Sequence, residues 1–142
     1  ASPAVREIAL PGVVLPPAWQ AAALAERGQH AQAFVHNQLA DCDLFLLPAL
    51  AHPVPDWAAV VPGEPGFDAR QVAALHRFMG WVNYLGLPSI VVPIAADDRG
   101  LPISVQAVTR PFGERSLLAF ADAVQSHRFD GRAFTRHFST GN

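Results

Sequence analysis

The stretch Leu85-Gly86-Leu87-Pro88-Ser89-Ile90-Val91-Val92-Pro93-Ile94-Ala95-Ala96-Asp97-Asp98-Arg99-Gly100-Leu101-Pro102-Ile103-Ser104-Val105-Gln106-Ala107-Val108 reads as a helix end, a strand, a tight turn and a second strand. Gly86 suits a helix C-terminus because glycine reaches the left-handed region without a Cβ clash, and Pro88 cannot continue the helix. Ser89 to Ile94 is rich in β-branched residues, the composition of a buried strand. Asp97-Asp98-Arg99-Gly100 is turn chemistry. Ile103, Val105 and Ala107 then alternate with Ser104, Gln106 and Val108, a looser strand pattern. The connection is so short that the second strand must return antiparallel to the first.

Upstream, Asp68 is placed to cap a helix whose apolar positions Val72, Leu75, Phe78/Met79, Val82 and Leu85 recur at three and four. Residues 48–66 hold prolines 48, 53, 55, 62 and 65 with Gly63 and Gly66, an ordered loop of the kind that lines sites. Leu44 to Leu47, closed by Pro48, has the continuous apolar pattern of a strand buried on both faces. An Ala-rich helix is expected from Pro16-Pro17 through Trp19, Leu24, Phe34, Val35 and Leu39, with Gly28 a point for a bend and Asp41-Cys42-Asp43 its end. Downstream, Glu114 to Ser126 forms a third helix, with Leu117, Leu118, Ala121 and Val124 on one side. Residues 127–142 read as a flexible tail.

The order α–β–α–β–β–α predicts an α/β fold, a mixed β-sheet with flanking helices. The first two strands should form a right-handed parallel crossover. Such strands belong to a wider sheet, with an edge that expects a neighbour. Residues 1–142 read as a single partial domain.

Composition narrows the function. Of 142 residues, 51% are apolar and 15% charged, enough for a packed core and more apolar surface than a monomer usually shows. Self-association, as a symmetric dimer, is therefore expected. The net charge of −2 creates no field for nucleic acid. All 10 cations are arginine, which excludes a Lys base or Schiff-base amine in this chain and the phosphate loop that ends in Lys. Cys42 is the one cysteine, so an internal disulfide and a Cys-rich metal site are excluded. Flanked by Asp41 and Asp43, it reads as a buried structural residue in a reducing, cytoplasmic setting. No apolar run reaches the ~20 residues a membrane helix needs. Ala1-Ser2-Pro3 lacks the basic start of a signal peptide.

No complete catalytic set is visible. Histidines 30, 36, 52, 76, 127 and 137 never stand three or four apart, so no helical metal pair forms and no metal or cofactor is expected. No Gly-x-Ser-x-Gly elbow occurs, and the serines are isolated. Asp97 and Asp98 are explained by their turn.

Several linked motifs do carry a resemblance. Asn83-Tyr84-Leu85-Gly86-Leu87-Pro88, the strand ending in Pro93, Gly100-Leu101-Pro102 with Gln106, and Arg110-Pro111-Phe112-Gly113-Glu114-Arg115-Ser116-Leu117-Leu118 resemble the C-terminal part of the amidase signature family. Asp43 to Pro48 is similar to the segment preceding these, and residues 12–28 fit more loosely. The resemblance implies the amidase signature fold and amide hydrolysis by a Ser–cis-Ser–Lys triad. There Lys acts as base through the bridging Ser, and backbone N–H groups hold the oxyanion. This chain has no Lys and no Ser-Ser pair, so no catalytic residue is carried over and the chain alone is expected to be inactive. It would contribute sheet and part of the acyl pocket to an enzyme acting on a small amide.

The substrate-pocket candidates are His76, Met79, Trp81 and Asn83. His76 stands seven residues before Asn83, where glutamine-specific members place an Asp for the substrate amino group. Met79 and Trp81 replace a Thr and a Pro common in the family. This pattern argues against glutamine and for an apolar or aryl acyl pocket, with plain core packing of Met79 and Trp81 as the competing explanation. The alternative for the whole chain is a non-catalytic module that self-associates through its open sheet. A free-standing Ser-His hydrolase is disfavoured by the missing elbow.

Overall fold

The structure, a computed structural model, describes residues 12–128. Helix α1 (Pro17–Gln38) leads to strand β1 (Phe45–Pro48), and a short helix α2 (Trp57–Val60) interrupts the loop that follows. Helices α3 (Ala69–Leu75) and α4 (Gly80–Leu85) precede strands β2 (Ser89–Ala96) and β3 (Pro102–Val108), and α5 (Glu114–Arg128) comes last. Of the tail expected at 127–142, residues 127 and 128 belong to α5 and the rest lies outside the described residues.

The α/β class stands, but the strand pairing differs from expectation. The sheet order is β1-β3-β2, with β3 antiparallel to both neighbours. Strands β1 and β2 do run in the same direction, yet they are not bonded to each other. The hairpin return through Asp97–Gly100 brings β3 into the central place that a direct β1–β2 pairing would have used. Pro93 has no N–H to give a ladder, and the register slips by one residue between Pro93 and Ala95, a bulge. Among the described residues, β1 and β2 each have one side with no strand beside it.

Residues opposite in register share a face of the sheet. Phe45, Val108 and Ser89 share one register, and Leu47, Gln106 and Val91 the next on that face. Val82, Leu87 and Val108, at most 7% exposed, centre the core there, with Phe34, Val35, Trp81 and Leu85 packed around them. Each such burial stabilises the fold by about 1.5–3 kcal/mol. The Gly86 cap builds this core directly. With Gly86 at φ 68°, the Leu87 N–H reaches back to the Val82 carbonyl at 3.3 Å, joining two core residues.

Helix α5 packs on β2, and on that face Val92 and Ala107 are buried, as is Leu117 of the helix. Strand β1 lies at the far edge. Its Leu46 is 50% exposed while Phe45 and Leu47 are half-buried, so the strand is covered on one face only, contrary to expectation. Cys42 is also a correction. It is exposed, its thiol donating to the Gln38 carbonyl at 3.1 Å, because buried Leu39 anchors the end of α1 and turns the following residues outward.

Helix α1 runs unbroken through Gly28. The single helix expected from Asp68 to Leu85 is instead two. Asp68 caps the first as expected, accepting from the Arg70 N–H at 2.9 Å. The ladder then tightens to three-residue bonds at His76, Arg77 and Met79, and a new helix starts at Gly80. Glycine is the poorest helix former after proline, which weakens the ladder at this point.

A polar knot ties the strand ends together. Buried Thr109 donates its hydroxyl to the Asp43 carbonyl at 3.0 Å and its N–H to Pro88 O at 3.1 Å. Arg110 Nη2 donates to the carbonyls of Leu39 at 3.0 Å and Cys42 at 3.2 Å. One short segment thus fixes the end of α1, the start of β1 and the start of β2.

Candidate functional site

An apolar cavity of about 490 Å³ lies at the end of the sheet away from the Val82–Val108 core. Pro48 and the segment after it, Ala49 to Val54, form one wall, and Val91, Ile103 and Ser104 of the hairpin form another. Met79, in the turn between α3 and α4, closes a third side. Val91 and Ile103 are about half exposed, so the cavity opens to solvent.

The helix break separates the sequence candidates. Met79 lines the cavity. Trp81, two residues later and inside α4, does not. Its ring sits 4.8 Å from Phe34 and 6.2 Å from Phe45, in the aromatic cluster that joins α1, β1 and α4. His76 is exposed at the C-terminal end of α3, and Asn83 is exposed on α4. Neither borders the cavity.

Three residues the sequence did not bring together, His52, Asp97 and Ser104, do border it. They are not a proton relay. Asp97 Oδ1 accepts the N–H groups of Arg99 at 2.9 Å and Leu101 at 2.8 Å, and Oδ2 accepts Arg99 Nε at 3.2 Å and Nη2 at 3.1 Å. Its acceptor sites are filled, with none left to orient an imidazole. The Leu101 N–H, and then Arg99, hold the Asp97 carboxyl below its ordinary 3.8 against a smaller opposing effect of burial, so it stays charged at neutral pH. Among the described residues, no cluster of three His, Cys, Asp or Glu stands ready for a metal ion.

Gln106 is buried on the core face of the sheet, donating Nε2 to Ser89 Oγ at 3.2 Å, while its Oε1 has no partner. What the arrangement can do is hold an apolar group.

Residues 16–118 match the model of the Amidase family. The chain belongs to the amidase family. Its relatives include fatty acid amide hydrolase of Oryza sativa subsp. indica, 51% identical over 53 residues, which are 37% of this chain and 9% of that protein. Fatty acid amide hydrolase of Medicago truncatula is 47% identical over 68 residues, 48% of this chain and 11% of that protein. A glutamyl-tRNA(Gln) amidotransferase subunit of Bradyrhizobium sp. (strain ORS 278) is 31% identical over 100 residues, 70% of this chain and 20% of that protein. A crystal structure of an amidase superposes with a TM-score of 0.65 at 23% identity, over 91% of this chain and 29% of that one, and so shares the fold. This amidase chain therefore spans between 9% and 20% of the length of the curated relatives named here. Its motifs at Asn83–Pro88, Gly100–Gln106 and Arg110–Leu118 lie within or end at the matched stretch.

Proposed function

We propose that this chain supplies sheet and the apolar wall of the acyl pocket to an amide hydrolase of the Ser–cis-Ser–Lys type. The nucleophile, the bridging Ser and the Lys come from other parts of the enzyme, since this chain has neither a Lys nor a Ser-Ser pair. In that chemistry the Lys draws a proton through the bridging Ser, and the nucleophilic Ser attacks the amide carbonyl. The amine then leaves, and water releases the acyl group. The role of this chain is to hold the acyl tail.

The observation that carries the reading is the cavity of about 490 Å³ bordered by Met79, Leu50, Val91 and Ile103. A tail of about four methylenes buried there contributes ~3 kcal/mol, roughly two orders of magnitude in binding. The substrate class that fits is an amide of an apolar acyl chain. The likeness to fatty acid amide hydrolases supports this. Cys42 as lone cysteine suits a cytoplasmic enzyme, and among the described residues no helix is long and apolar enough to cross a membrane.

The test is hydrolysis of decanamide, acetamide and glutamine by the complete enzyme. Decanamide is expected to give the lowest KM. Met79→Thr is expected to raise that KM about tenfold, as contact worth between one and two methylenes leaves the wall. An unchanged preference across the amides would remove Met79 from the pocket. Turnover by residues 1–142 alone would overturn the division of labour.

A second reading, a non-catalytic module that self-associates, is favoured by one observation. Val13 and Val14, just before α1, and Trp19 and Leu24, in its first turns, are all at least 66% exposed. Light scattering of the isolated chain is expected to show a dimer. A monomer that persists at high concentration counts against this reading.

A further inference from the structure

The turn between β2 and β3 and the proline-rich segment after β1 are distant in sequence, yet one side chain joins them. We propose that Arg99 is a positioning residue for the acyl wall: it latches the segment 50–55 to the hairpin turn and so sets the width of the cavity. The inference rests on the reading of that cavity as an acyl site.

The guanidinium spreads over three groups. Nη2 donates to the Val54 carbonyl at 2.6 Å, Nε and Nη2 grip Asp97 Oδ2 at 3.2 and 3.1 Å, and Nη1 reaches Asp56 Oδ1 at 3.3 Å. The Asp56 side chain is 87% exposed, so that arm adds little. The Asp97 side chain is 16% exposed and its geometry is set by two backbone amides, which gives the other arms a rigid base.

The segment has little else to hold it. Ala49 is bonded to Ser104 O at 3.0 Å, and the Asp56 carbonyl accepts from Ala59 at 3.0 Å. Between them, among the described residues, the Val54 carbonyl to Arg99 is the hydrogen bond made by residues 50–55. Pro53 and Pro55 have no N–H to offer. His52, Pro53, Val54 and Asp97 all border the cavity, so both ends of the latch are cavity wall. Arg99 itself does not border it. A lysine would keep the charge and reach either the carbonyl or the carboxylate, whereas the fork reaches both at once.

The experiment uses the complete enzyme with Arg99→Met, Arg99→Lys and, as a surface control, Arg115→Met. Two quantities are read: amide hydrogen exchange at Ala49 and Ala59, whose hydrogen-bonded N–H groups bracket the segment, and KM and kcat for decanamide against acetamide. Arg99→Met is expected to speed exchange at these two flanking amides at least tenfold and to raise KM for decanamide about tenfold, with a much smaller change in kcat. Arg99→Lys should fall between wild type and Arg99→Met in both quantities, and Arg115→Met should match wild type. If wild type prefers decanamide and Arg99→Met alters neither exchange nor the decanamide KM, the latch is overturned. If wild type shows no preference for decanamide, the acyl reading fails, and unaltered exchange in Arg99→Met would then overturn the latch separately. Should Arg99→Met fail to fold, Arg99→Lys carries the same comparison.

Discussion

Replacing Trp81 with alanine is expected to lower the stability of the fold by about 3 kcal/mol and, in the proposed amide hydrolase, to leave the preference among amides unchanged. The Trp81 ring lies 4.8 Å from Phe34, tilted at 45°, and 6.2 Å from Phe45, edge-on at 87°. Phe34 and Phe45 are themselves 5.4 Å apart and edge-on. Three rings from three elements thus meet where α1, β1 and α4 converge, and each such pair contributes about 0.5–1.5 kcal/mol beyond its buried area. Trp81 is only partly buried, which puts the loss at the low end of the range for removing a large aromatic side chain. Urea denaturation followed by far-UV circular dichroism measures the first half of the expectation, and the decanamide-to-acetamide ratio of kcat/KM measures the second. A change in that ratio without a loss of stability would move Trp81 from the core to the pocket. Met79 is expected to behave in the opposite way, altering the ratio with little effect on stability. The two residues are neighbours in sequence and are separated by the start of α4.

Gly113→Ala is expected to cost about 2–4 kcal/mol and to lower the melting temperature by about 10 °C. The reason is space, not backbone angle. A Cβ at Gly113 would meet the Thr109 side chain at 2.5 Å from Oγ1 and 2.6 Å from Cγ2, and the Arg110 carbonyl at 3.0 Å. Thr109 is 2% exposed and cannot swing aside without breaking its bond to the Asp43 carbonyl. The start of α5 cannot easily move either, because Ser116 and Leu117 donate to the Gly113 carbonyl at 3.0 and 3.4 Å. Thr109→Ser removes Cγ2 and keeps the hydroxyl, so the double variant should recover part of the loss. A scan in which Gly113→Ala melts with wild type would show that the turn relaxes around the added methyl group.

Much of the local structure was legible beforehand. The Gly86 cap, the Asp68 cap, the Asp97–Gly100 turn and both hairpin strands each rest on residues a few positions apart, and each is present. Gly80 was the warning that the stripe from Val72 to Leu85 would not form one helix, but the apolar spacing continued across it and hid the break. That break decides which candidate residue lines the cavity. The Asp97-Asp98-Arg99-Gly100 sequence declared a turn and nothing more, since the reach of Arg99 to Val54 spans 45 positions and leaves no local trace.

By itself, then, the sequence determined the first and last helices, the helix caps, the hairpin and the family, because caps, turns and β-branched runs act through neighbouring dihedral angles and short-range hydrogen bonds. The tertiary structure alone decided that β3 lies between β1 and β2, that Leu46 and Cys42 face outward, that Trp81 is core while Met79 lines the cavity, and that Arg99 latches the wall. Those outcomes depend on which surfaces meet after the elements form, and burial and long-range hydrogen bonds are set by the sum of that packing rather than by any one stretch of chain.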